Sequence, residues 1–404
     1  MIYGSLPATV RSNVIKLNII KFSKWFSLVM PVIVPFYQDN NLSITEIMLL
    51  KSVYSIVIVI LELPSGYLAD VLGRKKTLVI GSILAAAGFI TYSLTHSYVG
   101  FLVAEIILGA GHSFVSGADS AMLYDTLASK DRQKEYAKYE GMNASVGNFS
   151  EAFAGLAGGA LALISLRLPF YFQAVIACSA IPASLTLVEP AVTTLAGWRE
   201  RGGWKNITAM VKQIVFTEKD LRFNLLFSSI IGAATLQMAW FAQPLFEKML
   251  LPLALYGIVW TTLNLITGGS SILAHRIERS MGEKVTLILI AILIPIMMII
   301  SGILPGFAII PLLVVFYFLR GVATPVLKDY INRHTQSRVR ATVMSLRDLT
   351  IRVFFALFAP LAGYFTDRFS LATGLAVSGS FILFLARTNL ILFFKNQKPQ
   401  NARN

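Results

Sequence analysis

Runs of about 18 to 25 mostly apolar residues recur along the whole of this 404-residue chain, and each can cross roughly 30 Å of hydrocarbon as a helix. No other feature narrows the fold so much. A segment in lipid must satisfy its backbone polar groups internally, which leaves α-helices and closed β-barrels. A barrel would show ~10-residue segments of alternating polarity, and the sequence carries no such pattern. Charged residues make up 14% of the chain, against about 25% in soluble domains. An all-α polytopic membrane protein follows.

Hydropathy and length place helices at 14–37, 44–69, 76–95, 98–122, 138–164, 168–188, 221–246, 252–275, 284–303, 306–330, 341–366 and 371–394, about twelve in all. Their connections alternate in charge. Arg74, Lys75 and Lys76, then Lys130, Arg132 and Lys134, then Arg199, Arg201, Lys205 and Lys212, then Arg276 and Arg279, then Arg333, Arg338 and Arg340 fall in every second loop, while the turns at 38–41, 95–98 and 304–306 carry no base. The positive-inside rule puts the basic loops and both termini on the cytoplasmic side of the cell's inner membrane. The net charge of +14 therefore reflects topology and anionic lipid, and no soluble basic domain is present to bind nucleic acid. The basic N-terminal stretch lacks a small-residue cleavage site, so the first helix is expected to be retained. The lone Cys178 excludes an internal disulfide. His96, His112, His275 and His334 are too scattered for a metalloenzyme motif, and no phosphate-cradling glycine loop or cofactor signature occurs, so no enzyme and no cofactor are expected.

The long connection 189–220 divides the chain into an N-terminal six-helix bundle at 1–188 and a C-terminal one at 221–404. Within it Trp204, Ile207, Met210, Val211 and Ile214 recur at helical spacing apart from Lys205 and Lys212, as in a helix lying on the membrane interface. Thr217 and Asp220 form a capping-box pattern ahead of the next helix. The bundles read as copies: GRKKTLVIG from Gly73 has an echo in GEKVTLILI from Gly282, each after the second helix of its half. Tandem six-helix repeats are an architecture of secondary transporters.

The stretch GYLADVLGRKKT at 66–77 concentrates charge in an apolar chain. Gly66, Asp70, Gly73, Arg74, Lys75 and Lys76 resemble the loop motif of the major facilitator superfamily, and its place between helices 2 and 3 resembles that family's as well. With the helix count and the linker, the resemblance covers the whole chain. It implies a monomeric transporter that moves a small molecule by alternating access. Independently, Glu62, Gly66 and Asp70 fall at i, i+4 and i+8, a stripe of two acids around a glycine that allows close backbone approach. The resemblance implies the eleventh helix, with Arg347 and Arg352, as its partner, and Asp125 as the partner of Arg74, together forming a cytoplasmic latch. Departures from the family pattern are AGLAGG at 154–159, with Gly155 where antiporters often have proline, and Glu105 where drug antiporters commonly have arginine. The spacing of Gly155 and Gly159 indicates tight helix packing.

Ionisable groups at bilayer depth cost about 2.5 to 3.5 kcal/mol each on insertion scales, so they mark function. On the fourth helix Glu105, Gly109, His112, Ser116 and Asp119 repeat every three or four residues, a polar stripe able to relay protons. Glu151, among Asn143, Gly147 and Asn148, adds an acid to the fifth helix. The C-terminal half is basic instead: Tyr317, Arg320 and Thr324 form one stripe, Arg352 lies in the eleventh helix, and Gln237, Trp240 and Gln243 lie in the seventh. Trp260 and Asn264 could line the same cavity. Asp348 and Arg352, at i and i+4, could neutralise each other. The acidic half favours proton-coupled export of an amphiphilic or cationic small molecule. Arg320 and Arg352 would suit uptake of an anionic metabolite or chelate. A receptor or scaffold on the same fold is the alternative of another class.

Overall fold

The computed structural model describes residues 6–190, 218–335 and 340–396, so the expected interfacial helix around Trp204 to Ile214, Thr217, and Arg338 lie outside the described residues. The described residues form fourteen α-helices joined by turns, three of them 3-10, with no strand. In chain order the helices are α1 Ala8–Trp25, α2 Ile33–Asp39, α3 Ile44–Leu72, α4 Arg74–Leu94, α5 Tyr98–Val115, α6 Ala118–Ala128 and α7 Tyr136–Ala162. There follow α8 Leu168–Leu185, α9 Lys219–Lys248, α10 Tyr256–Met281, α11 Glu283–Ile303, α12 Ile309–Arg333, α13 Arg340–Arg368 and α14 Leu371–Asn396.

Two of the expected helices are broken. The first stops at Trp25 and resumes at Ile33. Pro31 has no N–H to donate and disfavours the helical conformation of Met30 before it. The freed backbone is satisfied within the protein: Leu28 N donates to Gln173 Oε1 at 2.8 Å, as a non-helical segment at membrane depth requires. The fourth is divided at Ser116 and Gly117, where Gly117 takes φ +76°, a conformation open to glycine at little cost. Among the described residues ten spans meet the length and apolarity needed to cross a bilayer, with α5 and α6 counted as one. The α1–α2 pair and α7, which carries Lys138, Glu140, Asn143, Asn148 and Glu151, do not.

The starts of α4 and α11, where the two similar stretches lie, share a local geometry. Each follows a glycine of positive φ, Gly73 at +98° and Gly282 at +79°. Glu189 caps α4, accepting hydrogen bonds from Arg74 N at 2.8 Å and Lys75 N at 2.7 Å, where a carboxylate complements the helix dipole. At the opposite end of α4, Arg167 donates to the carbonyls of Ser93 and Thr95 at 3.2 and 2.9 Å and to Asn40 Oδ1 at 2.7 Å. A cation thus satisfies the orphan carbonyls of a helix C-terminus.

The described residues group into two compact units. The first takes in 6–42, 53–190 and 252–261 and has a core of Val10, Val14, Leu17, Leu78, Met122, Leu123 and Tyr139. Glycines set its closest approaches. A Cβ on Gly158 would overlap the Leu28 carbonyl, with the carbonyl carbon at 2.8 Å and Cα at 3.1 Å. One on Gly159 would lie 2.9 Å from Gly257 Cα, and one on Gly155 2.5 Å from Thr261 Oγ1, so the expected tight packing is present. The second unit takes in 43–52, 218–251, 262–335 and 340–396. In it, Asp367 at the end of α13 caps α3, accepting from Ile44 N at 3.1 Å and Thr45 N at 2.7 Å.

Candidate functional site

The charged island resolves into a network within the first unit. Arg74 Nη1 lies 2.6 Å from Asp70 Oδ1, and its Nε lies 3.5 Å from Asp125 Oδ2, the latter an ion pair too long for a strong hydrogen bond. Arg74 therefore holds two carboxylates, and Glu189, which the sequence did not single out, anchors the adjacent backbone. Glu62 Oε1 accepts from Ser116 Oγ at 3.1 Å, in the break before α6. A Cβ on Gly66 would meet no atom within 4 Å, so the close approach expected there is not made among the described residues. Removing the guanidinium would leave Asp70 and Asp125 without their shared cation. Arg74→Ala is expected to cost about 1 to 3 kcal/mol, below the range for a fully buried pair. Thermal unfolding in detergent would show it, and an unchanged midpoint would mean that solvent already screens the network.

The expected relay on the fourth helix is not a continuous file, because the turn at Gly117 separates Asp119 from Glu105 and His112. Each group has its own partner. Glu105, 2% exposed, accepts from Tyr92 Oη at 2.5 Å and Tyr37 Oη at 2.9 Å, and the two hydroxyl oxygens lie in close contact with each other. Rings of Phe36, Phe101 and Phe170 enclose these tyrosines. His112 Nδ1 lies 3.1 Å from Tyr54 Oη. Asp119 Oδ2 pairs with Lys21 Nζ at 3.1 Å, both largely buried. Glu151 is half-buried on α7. Lys21 was legible only as a base near the N-terminus, and its pairing needs the fold.

In the second unit Trp240 lies under Lys51, whose Nζ is 4.6 Å from the ring centroid. Lys51 is 5% exposed, a buried base that the sequence reading passed over. Gln237 Nε2 donates to Ser378 Oγ at 3.0 Å. Tyr317 is buried, and the Arg320 guanidinium stacks 5.5 Å from its ring. Asp348 pairs with Arg347 at 2.8 Å, and not with Arg352 as the helical spacing allowed. The reason lies in Arg347: it is buried, donates to Ser228 Oγ at 2.6 Å, and needs a counter-charge more than half-exposed Arg352 does. Gln243 and Trp260 are buried as well.

A groove of about 870 Å³ runs along α1 and α7 in the first unit. Phe22, Phe26, Phe149 and Phe153 form its apolar wall, Ser145 and Ser150 supply hydroxyls, and Lys138 stands at one end. The groove is open along one side, and Phe149 and Phe153 stand exposed in it.

This geometry agrees with the comparisons to known proteins. The family model of the Major Facilitator Superfamily matches residues 25–353, and the chain belongs to that family. Quinolone resistance protein NorA of Staphylococcus aureus is 25% identical over 188 residues, 46% of this chain and 47% of the relative. An uncharacterized MFS-type transporter of Methanocaldococcus jannaschii is 25% identical over 143 residues, 35% of this chain and 36% of the relative. The match thus spans about half the length of these curated relatives or less. Solved structures share the fold over nearly the entire chain. The nucleoside transporter NupG superposes with TM-score 0.78 at 14% identity, covering 96% of this chain and 99% of that one. A bacterial homolog of the human lysosomal transporter Spinster gives 0.79 at 13%, covering 98% and 100%. A D-xylose–proton symporter gives 0.72 at 15%, covering 97% and 98%. The chain has the all-α polytopic membrane fold of that family.

Proposed function

We propose that the chain is a proton-coupled exporter of an amphiphilic, aromatic small molecule. The groove along α1 and α7 carries this reading: four phenylalanines and Met142 offer ring and thioether contacts, and two serines with Lys138 recognise a polar end. The name of NorA, a quinolone resistance protein, supports a substrate of this kind. The intramembrane groups Glu105, His112, Asp119 and Glu151 would carry the coupling proton, and Asp70, Arg74, Asp125 and Arg347 would serve the cytoplasmic gate. Substrate counterflow in proteoliposomes with ethidium and a fluorescent quinolone tests the reading. Accumulation driven by a proton gradient is expected, and Phe149→Ala should weaken apparent affinity about tenfold through lost aromatic burial. Absence of counterflow for both probes would favour the receptor alternative.

A second reading rests on Arg320 and Arg352. Neither has a carboxylate partner within 4 Å among the described residues, which suits an anionic metabolite. The charge alternation of the loops supports an inner-membrane protein with cytoplasmic termini. In a Cys178→Ser background, a cysteine placed at Ser97 should react with an impermeant maleimide from outside intact cells, and one at Lys130 only after lysis. Reversed labelling would overturn the topology.

A further inference from the structure

The charge of the groove along α1 and α7 decides which head group it takes. Lys138, Gly141, Ser145, Phe149 and Phe153 follow one another at steps of three or four residues and are all exposed, so they form one face of α7. By the same count Glu140 and Glu151 fall on the opposite side of the helix. On α1, Phe22 and Phe26 lie with ring centroids 4.8 Å apart, and Lys24, midway between them in sequence, falls on the other side of its helix. Lys21 is engaged by Asp119, and Glu105 by Tyr37 and Tyr92. Among the described residues no carboxylate lines the groove, and Lys138 is the charged group that does. The turn leading into α7 does not offset it, because Lys130, Arg132 and Lys134 there outnumber Asp131 and Glu135.

The hydroxyls leave the same task to Lys138. Ser145 Oγ donates to the Gly141 carbonyl at 2.9 Å and Ser150 Oγ to the Val146 carbonyl at 2.5 Å, so their oxygens remain as acceptors. They can meet an N–H or O–H on a ligand's body, and the ammonium group is left as the donor to its head. Lys138 Nζ lies 5.3 Å from the Tyr139 ring centroid, a contact that leaves its charge uncancelled. Eleven residues separate Lys138 from Phe149, about 16 Å along the helix at 1.5 Å per residue. A four-carbon side chain and a short linker on the ligand cover that span. The apolar wall excludes water from part of the path, which strengthens the attraction between opposite charges.

We infer that the groove takes an aromatic anion, its carboxylate or sulfonate on Lys138 and its rings among Phe22, Phe26 and Phe149. A cationic head would meet like charge at that end and no carboxylate along the described wall. The inference rests on the reading of this groove as the binding site; export and proton coupling do not enter it.

Two fluorescent probes with one aromatic body and opposite heads, 1-pyrenebutyrate and 1-pyrenebutylammonium, test it on the purified full-length protein, with empty micelles as the blank. Trp25 stands beside the groove, since a Cβ on Gly147 would lie 3.2 Å from its Cδ1, and energy transfer from tryptophan to pyrene reports binding there. The wild type should bind the anion about tenfold more tightly than the cation, the worth of one charge-assisted contact. Lys138→Gln should remove that preference by weakening the anion, and Lys138→Glu should reverse it. Lys138 is exposed, and surface substitutions of this kind leave the fold intact. Transfer should fall sharply in Trp25→Phe, and undiminished transfer there would put the probe outside the groove and overturn the assignment. Equal affinities for the two probes, or an unchanged anion affinity in Lys138→Gln, would overturn the anionic class and leave the groove standing as a site. No saturable transfer with either probe would remove the groove and this inference together.

Discussion

Gly158→Ala is expected to leave little folded protein after detergent extraction. The added Cβ would overlap the Leu28 carbonyl oxygen, with Leu28 C and Cα also within 3.1 Å. Those atoms are backbone, so no rotamer change relieves the clash. The segment cannot simply retreat, because Leu28 N is held by Gln173 and Ser23 Oγ, a little before it, donates to the Ile176 carbonyl at 2.9 Å. Both bonds would have to break to make room, in a setting where lipid offers no replacement partner. Overpacking alone costs about 1 to 3 kcal/mol, and a lost buried hydrogen bond adds about 1 to 3 kcal/mol. Gly66→Ala is the control, since its Cβ meets open space, and it should match the wild type. Thermal unfolding monitored by tryptophan fluorescence separates the two. Equal midpoints for both variants would mean that the broken first helix is not held against α7 as described.

The outcome at Gly158 bears on what a sequence can disclose. The membrane spans were legible because length and apolarity are local properties, and the breaks less so. Pro31 was visible, but the apolar run continues across it and hid the interruption. Gly117 sits inside a three-and-four spacing that holds from Glu105 to Asp119, so the pattern implied one face where the chain turns. Arg74 and Asp125 were matched through the family resemblance, and the structure brings them together. Lys21, Lys51 and Glu189 were missed for a common reason. A base near a helix end reads as topology and an acid near a loop reads as solvated, unless one knows which helix packs there. Asp348 illustrates the limit in the other direction: helical spacing offered Arg352, but burial of Arg347 decided the pairing. Gly66 fits its motif, yet the close approach that would explain it is not made among the described residues.

Glu105 is where stability and coupling can be separated by two substitutions. Its carboxylate is the acceptor for two tyrosine hydroxyls inside an aromatic shell. Glu105→Leu removes that acceptor, so both hydroxyls lose their bonds to the carboxylate. The cost of one unsatisfied buried donor is about 1 to 3 kcal/mol, and the thermal midpoint should fall accordingly. Glu105→Gln keeps a carbonyl oxygen in the same place and should hold both the hydroxyls and the midpoint near wild-type values. What it cannot do is gain or lose a proton. If Glu105 belongs to the proton path, as proposed, the Gln variant retains ethidium exchange across proteoliposomes and loses accumulation against a gradient. The comparison works because the two readouts move in opposite pairings: a purely structural glutamate affects stability in Leu and nothing in Gln. Gradient-driven accumulation at the wild-type level in Glu105→Gln would make this carboxylate a packing residue and shift the search for the coupling group to His112, Asp119 and Glu151.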